Sequence, residues 1–115
     1  MKESPVITKI EAIHYSHTLN EVGRDYNTFN MVYEPGGTSK QSGSLVRIHT
    51  DQGLIGEYPD VNDPTLAEIK ILGSYLIGKN ALAREPIYND LKRGSRHWAM
   101  LGMGIIDICL WDIAG

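Results

Sequence analysis

The chain has a single cysteine, Cys109, in 115 residues. A lone thiol cannot form an intrachain disulfide, which excludes a secreted scaffold held by disulfides. A basic excess is also missing. Lys and Arg total 11 against 14 Asp and Glu, a formal net charge of −3. That balance argues against a nucleic-acid binder and leaves no basic face for anionic lipid. No uncharged apolar run is long enough for a transmembrane helix. The start, Met1-Lys2-Glu3-Ser4-Pro5, lacks the apolar stretch of a signal peptide. Together these absences predict a cytoplasmic protein with neither nucleic acid nor membrane as partner. There is no internal repeat. What remains is an ordinary globular mix, 42% hydrophobic and 22% charged, which excludes a disordered chain. The length suits one domain.

Alternation and β-branched residues predict a first strand over Val6–Tyr15. Ile7, Lys9, Glu11 and Ile13 fall on one face, Thr8, Ile10 and Ala12 on the other. Residues 16 to 43 have no sustained apolar period and contain the turn signal Glu34-Pro35-Gly36-Gly37. They read as a long loop, and loops of that length are usually functional or disordered. A hairpin follows, with strands over Leu45–Thr50 and Leu54–Tyr58, joined through Gly53 at positive φ. Gly56 within the second strand signals a bulge or a close backbone approach. Three helices come next. The first begins at Asp63 as N-cap with Pro64 behind it, carries Leu66, Ile69, Leu72 and Leu76 on one face, and ends at Gly78. A second starts near Pro86 and ends in Lys92 and Arg93. The third runs from about His97 to Ala114. Segregated strands and helices predict an α+β fold: a three-stranded antiparallel meander followed by about three helices.

The third helix is unusual. Between Trp98 and Ala114 its strongly polar residues are Asp107 and Asp112, which point about 140° apart and so define no wet face. A helix apolar on nearly every side is normally buried on nearly every side. Three short strands and two helices offer little material for that, which predicts a second body packed against it. Gly102 and Gly104 are expected to permit close helix packing there. The four histidines (14, 17, 49 and 97) have no spacing that completes a metal site. His49 is expected to face away from the core. Lys92, Arg93, Arg96 and His97 read as a solvated helix end, and Cys109 as a small buried hydrophobe.

Three stretches resemble a known pattern. Val46-Arg47-Ile48-His49-Thr50-Asp51-Gln52-Gly53-Leu54-Ile55-Gly56-Glu57 is similar to a strand, Thr-Asp-x-Gly turn and second strand. Leu76-Ile77-Gly78-Lys79-Asn80 is similar to a helix ending in an Ile-Gly step. Gly104-Ile105-Ile106-Asp107-Ile108-Cys109-Leu110-Trp111-Asp112-Ile113-Ala114-Gly115 is similar to an Ala-Ile-Asp-x-Ala-Leu-Trp-Asp-x-x-Gly helix. In order and spacing they resemble the N-terminal capping domain of the mandelate racemase and muconate lactonising branch of the enolase superfamily. The continuation Gly56-Glu57-Tyr58-Pro59 departs from the many members that carry an aromatic and a further Gly before Glu.

The resemblance implies that residues 1–115 are an N-terminal capping and substrate-specificity domain, without the (β/α)8-type barrel, which takes about 250 residues. In that family the reaction is proton abstraction α to a carboxylate, by barrel Lys or His bases with Mg²⁺ held by barrel carboxylates. By this reading the chain holds no catalytic group, no metal ligand and no cofactor of its own, and is non-catalytic alone. Its implied partners are its own C-terminal barrel, a small hydroxy-acid or sugar-acid carboxylate, and further copies in a homo-oligomer. Asp107 and Asp112 are implied to be structural. Two loops would contact the substrate's distal part, about Thr18–Ser42 and Tyr58–Asp63. Their candidate binding residues are Arg24, Tyr26, Asn27, Phe29, Asn30, Tyr58, Asp60 and Asn62. This polar mixture suits a sugar-acid dehydratase better than a racemase or a lactonising enzyme. The alternative, from another class, is a free-standing α+β binding or assembly module that self-associates through its apolar last helix.

Overall fold

A computed structural model describes residues 3–27, 29–97 and 100–115. The fold is α+β. An antiparallel sheet of order β1-β2-β3, with β1 over Ile7–Arg24, β2 over Met31–Thr50 and β3 over Ile55–Val61, precedes α1 (Asp63–Leu76), α2 (Arg84–Gly94) and α3 (Leu101–Ala114). No (β/α)8 barrel is present among these residues.

The turn at Asp51-Gln52-Gly53 forms as its sequence predicts, with Gly53 at φ 76°. The first strand differs from expectation in two ways. A register shift between Ile7 and Lys9 inserts one residue. Such a bulge reverses which side chains share a face, so Ile7 and Ile10 both serve the core while Lys9 and Glu11 lie outside. Beyond Tyr15 the expected loop is instead strand. Ser16↔Ser42, His17↔Gln41 and Leu19↔Ser39 continue the ladder as a two-stranded ribbon past the reach of β3. Both faces of a ribbon are wet, so its side chains need no apolar period; backbone pairing, which the sequence pattern does not report, makes it a strand pair. The projecting ribbon explains the dimensions of 60 × 32 × 20 Å and the radius of gyration of 17.2 Å, against about 13 Å for a compact chain of this length.

The helices cover one face of the sheet. Val46 and Ile48 of β2, Leu66, Ile69, Leu72 and Leu76 of α1, and Met103, Ile106, Cys109, Leu110 and Ile113 of α3 form one buried cluster. On the open face the charges pair across strands: His49 Nε2 lies 3.0 Å from Glu11, and Arg47 Nε donates to Glu57 at 2.9 Å. His49 therefore faces away from the core, as its alternation with Ile48 predicts. The hydrogen bond with His49, opposed by partial burial and assisted by Lys9, holds the Glu11 carboxyl below its ordinary range.

The first helix is capped one residue earlier than expected. Asn62 Oδ1 accepts the Thr65 N–H at 3.0 Å, and Pro64 stands in the first turn. Asn62→Ala should cost about 1 kcal/mol of stability, the usual worth of such a cap, measurable as a lower urea midpoint at unchanged slope. Gly78, at φ 86°, ends the helix, and its N–H donates to Ile7 O at 2.8 Å. The second helix starts at Arg84, with Lys92 and Arg93 in its last turn. Tyr75 on α1 donates to the Asp90 carboxylate on α2, and burial, then Asp90, pushes its phenol up to about 12. The folded value exceeds the unfolded one, so the neutral phenol's contribution is complete below about pH 10 and is lost as pH rises through 12. Tyr75→Phe should remove that part of the alkaline loss of stability, read by denaturant titrations at a series of pH values.

The third helix begins at Leu101, later than the expected His97; Trp98 and Ala99, and likewise Met1, Lys2 and Thr28, lie outside the described residues. Its start is capped from another helix, with Gly102 N–H donating to Glu68 Oε2 of α1 at 2.9 Å. Gly102 is close-packed, since a Cβ there would lie 2.8 Å from the Glu68 Cβ and 3.1 Å from Ile69 N. Gly104 is not: it faces open space, which corrects its expected packing role. Asp112 is structural, accepting the Glu57 N–H of β3 at 3.0 Å. Burial raises the Cys109 thiol to about 12, so it stays protonated and acts as a small hydrophobe. Among the described residues no helix is long and apolar enough to cross a membrane.

Candidate functional site

The ribbon is hooked. Between the pairs Asn20↔Thr38 and Val22↔Tyr33, β1 has one residue, Glu21, where β2 has four, Glu34 to Gly37. Extra residues on one strand bend a ladder sharply. Glu21 takes φ 62° and Gly36 φ 75°, and the Glu21 carboxylate accepts the Gly36 N–H at 3.0 Å. At the crossing the backbones nearly touch: a Cβ on Gly37 would lie 2.9 Å from Val22 O.

The hook brings distant residues together. Arg24 Nη2 donates to Gln41 Oε1 at 3.0 Å. The cross-strand partner of Gln41 is His17, seven residues before Arg24, which is about 23 Å along a straight strand. Only a ribbon folded back on itself allows that bond. Gln41 Nε2 in turn donates to Ser39 Oγ at 2.8 Å, and Arg24 Nη1 to Phe29 O at 3.4 Å. The result is a cleft of about 280 Å³ with Tyr15, His17, Met31, Gln41 and Asp60 in its walls. Tyr15 OH donates to Asp60 Oδ1 at 3.2 Å, and the Tyr15 and His17 rings stack with centroids 6.4 Å apart. Partial burial, then the Asp60 charge and hydrogen bond, raises the Tyr15 phenol above its ordinary value.

The eight residues proposed from the sequence divide among different places. Asp60 lines the cleft, while Arg24 is linked to it only through its hydrogen bond to Gln41. Tyr26, Asn27, Phe29 and Asn30 form the ribbon tip, where Tyr26 is 96% and Phe29 70% exposed. Tyr58 lies directly across from Val46 and packs against the core. Asn62 is occupied as the cap of α1. Sequence reasoning missed Tyr15, His17, Met31 and Gln41. The one local cue, Tyr15, His17 and Leu19 at alternate positions, is too short to tell a strand pair from a loop.

A second surface is uncovered. Leu101, Ile108 and Trp111 are 49%, 46% and 58% exposed and, with Gly104, fall in one stripe along α3 at three- and four-residue spacing. The guanidinium of Arg84 lies 4.0 Å over the Trp111 ring.

No family model matches the chain, and no curated protein matches it. Solved structures do. D-glucarate dehydratase from Agrobacterium tumefaciens, complexed with magnesium, is 22% identical with a TM-score of 0.66, over 96% of this chain and 29% of that one. The 3,6-anhydro-D-galactonate cycloisomerase from Zobellia galactanivorans is 24% identical with a TM-score of 0.69, over 94% of this chain and 28% of that one. A mandelate racemase/muconate lactonizing protein from Herpetosiphon aurantiacus is 17% identical with a TM-score of 0.67, over 98% and 32%. The fold is one that these enzymes share over that portion of their length.

The chain spans about 30% of the length of these structures. The walls of the cleft carry an amide, an imidazole and a phenol, with Asp60 as acceptor, groups that suit a polar molecule. Among the described residues no group of three or more His, Cys, Asp or Glu could hold a metal ion.

Proposed function

We propose that residues 1–115 form the capping and specificity domain of a Mg²⁺-dependent enzyme that abstracts a proton α to a carboxylate, an acid-sugar dehydratase of the mandelate racemase type. The observation that carries this reading is that nearly the whole chain superposes on about 30% of several enzymes of this superfamily. Mg²⁺ does not fit the described residues of this chain, because Asp60 is tied to Tyr15 and among them no group of three ligands stands together. The ion and the bases belong to a C-terminal barrel. This domain's own contribution is to close over the barrel mouth, exclude water and orient the distal part of the substrate. Met31 and Leu19 supply apolar wall, and Tyr15, His17, Gln41 and Asp60 supply hydrogen bonds to hydroxyls. The apolar stripe of α3 is the surface that docks on the barrel. Homo-oligomers of the whole protein belong to the same proposal.

The test is to express the full reading frame that carries this domain and supply α,β-dihydroxy acids with Mg²⁺. Loss of the α-proton and of the β-hydroxyl as water leaves an α-keto acid, which is the product to detect. No keto acid from any such substrate would overturn the reading, as would Mg²⁺-dependent turnover by the 115-residue chain alone. The alternative, a self-associating module, shares the exposed stripe; a discrete, stable dimer of this chain buried through α3 would favour it.

A further inference from the structure

One cation beside the α3 stripe has an unmet donor. Arg84 opens α2, and its guanidinium lies over the Trp111 ring. Its Nε is buried and has no hydrogen-bond partner among the described residues. Arg84 also makes no ion pair among them. Glu85 and Asp107 line the same groove, of about 550 Å³, and neither pairs with it. A buried donor left unmet is costly, the more so in a charged group, so the acceptor comes from outside residues 1–115. The groove has an apolar side as well, in Leu82, Tyr88 and Trp111, all exposed. Trp111 belongs both to this groove and to the stripe. A body that covers the stripe therefore closes the groove too and takes water away from the guanidinium. With water removed, the planar fork of N–H donors is matched by a carboxylate.

We infer that the body covering the α3 stripe brings an Asp or Glu side chain into this groove and sets its carboxylate on the Arg84 guanidinium. The occupant is the remainder of the same protein. The chain spans about 30% of the enzymes that share its fold, so most of each of those proteins lies outside the matched part. The groove is continuous with the stripe, and its unpaired cation calls for the opposite charge. The inference rests on the capping-domain reading, in which that remainder is the barrel. The stripe supplies apolar area, and Arg84 supplies register, because a seating that leaves a buried charge unpaired is penalised.

The test uses the full-length protein with Arg84→Lys, which puts a primary amine in place of the guanidinium. A carbodiimide joins an amine to a carboxylate in contact with it as an amide, with loss of water, and mass spectrometry reads the linked peptides. Labelled and unlabelled protein are mixed, so that a link between two copies shows mixed isotopes. The expected link runs from position 84 to an Asp or Glu beyond residue 115, with unmixed isotopes. A link to Glu85 or Asp107, a mixed link or no link at position 84 overturns the inference, and the mixed link favours the self-associating module. Docking is read separately, as the rate of proteolysis at the junction after residue 115. Arg84→Gln should raise that rate about 10- to 100-fold, the range of a charge-assisted hydrogen bond, and Arg84→Lys should raise it less. If Arg84 only covered the Trp111 ring, Arg84→Met would protect the junction as well as Arg84→Lys does, which overturns the inference, as does an unchanged rate in Arg84→Gln. Formation of the keto acid alongside any of these results leaves the capping role intact. A full-length protein that forms no keto acid fails that role itself.

Discussion

Gly56→Ala should destabilise the fold by about 3 kcal/mol or more, a lowering of the melting temperature by at least about 12 °C for a domain of this size. A Cβ at Gly56 would lie 2.0 Å from the Cys109 carbonyl oxygen, 2.8 Å from its carbon and 2.9 Å from Ile113 Cγ1. The nearest two atoms are backbone of α3, so no side-chain rotation can relieve the clash. Either α3 moves off β3 or the strand bends, and each opens the core at Cys109 and Ile113, both largely buried. Gly104→Ala is the matched control. Its Cβ meets nothing within 4 Å, and alanine in a helix interior is favoured over glycine by about 1 kcal/mol. Thermal unfolding of the two variants should therefore move in opposite directions. An unchanged melting temperature for Gly56→Ala would show that α3 does not seat on β3 as described.

The 115-residue chain should self-associate in solution without a fixed stoichiometry, as an uncovered docking surface does, and charging the α3 stripe should abolish that. Leu101, Ile108 and Trp111 lie along one line of the helix and are each about half exposed. A contiguous apolar patch of this kind marks a contact surface. The Trp111 ring carries the Arg84 guanidinium on one face, and Trp and Arg are the residues that most often dominate interface energies. Leu101→Lys with Ile108→Lys should give a monomer by sedimentation without loss of helical signal, because neither side chain belongs to the buried cluster. Loss of the helical signal would show instead that the stripe is needed for the fold. A wild-type chain that remains monomeric at high concentration would count against the stripe as a docking surface.

Much of this architecture is legible in the residues. The turn at Gly53, the helix face of Leu66, Ile69, Leu72 and Leu76, and the stop at Gly78 follow from local rules of φ, capping and periodicity. Gly56 signals a close approach from sequence, although not what approaches; the structure shows the Cys109 carbonyl. The ribbon is where the local rules fail. Residues 16–43 alternate between polar and mixed side chains because neither face is buried, so no period distinguishes a strand pair from a loop. The cap at Asn62 shows a smaller failure, since Asn62 and Asp63 are both good caps and only the backbone geometry chooses between them.

By itself the sequence determined the element types outside residues 16–43, the α+β class and the surplus apolar surface of the last helix. Each depends on spacing along the chain, which a period of 2.0 or 3.6 reports directly. The tertiary structure alone decided that four residues stand against one at the hook, that this folds Arg24 back onto Gln41, and that Tyr15 and Asp60 meet across 45 positions of sequence. It also separated Asp60, in the cleft wall, and Arg24, bonded to Gln41, from Tyr58 in the core and Asn62 at a helix cap. Spacing carries no information about such encounters. They follow from strand register and from where backbones can approach, and those are settled only when the whole chain packs.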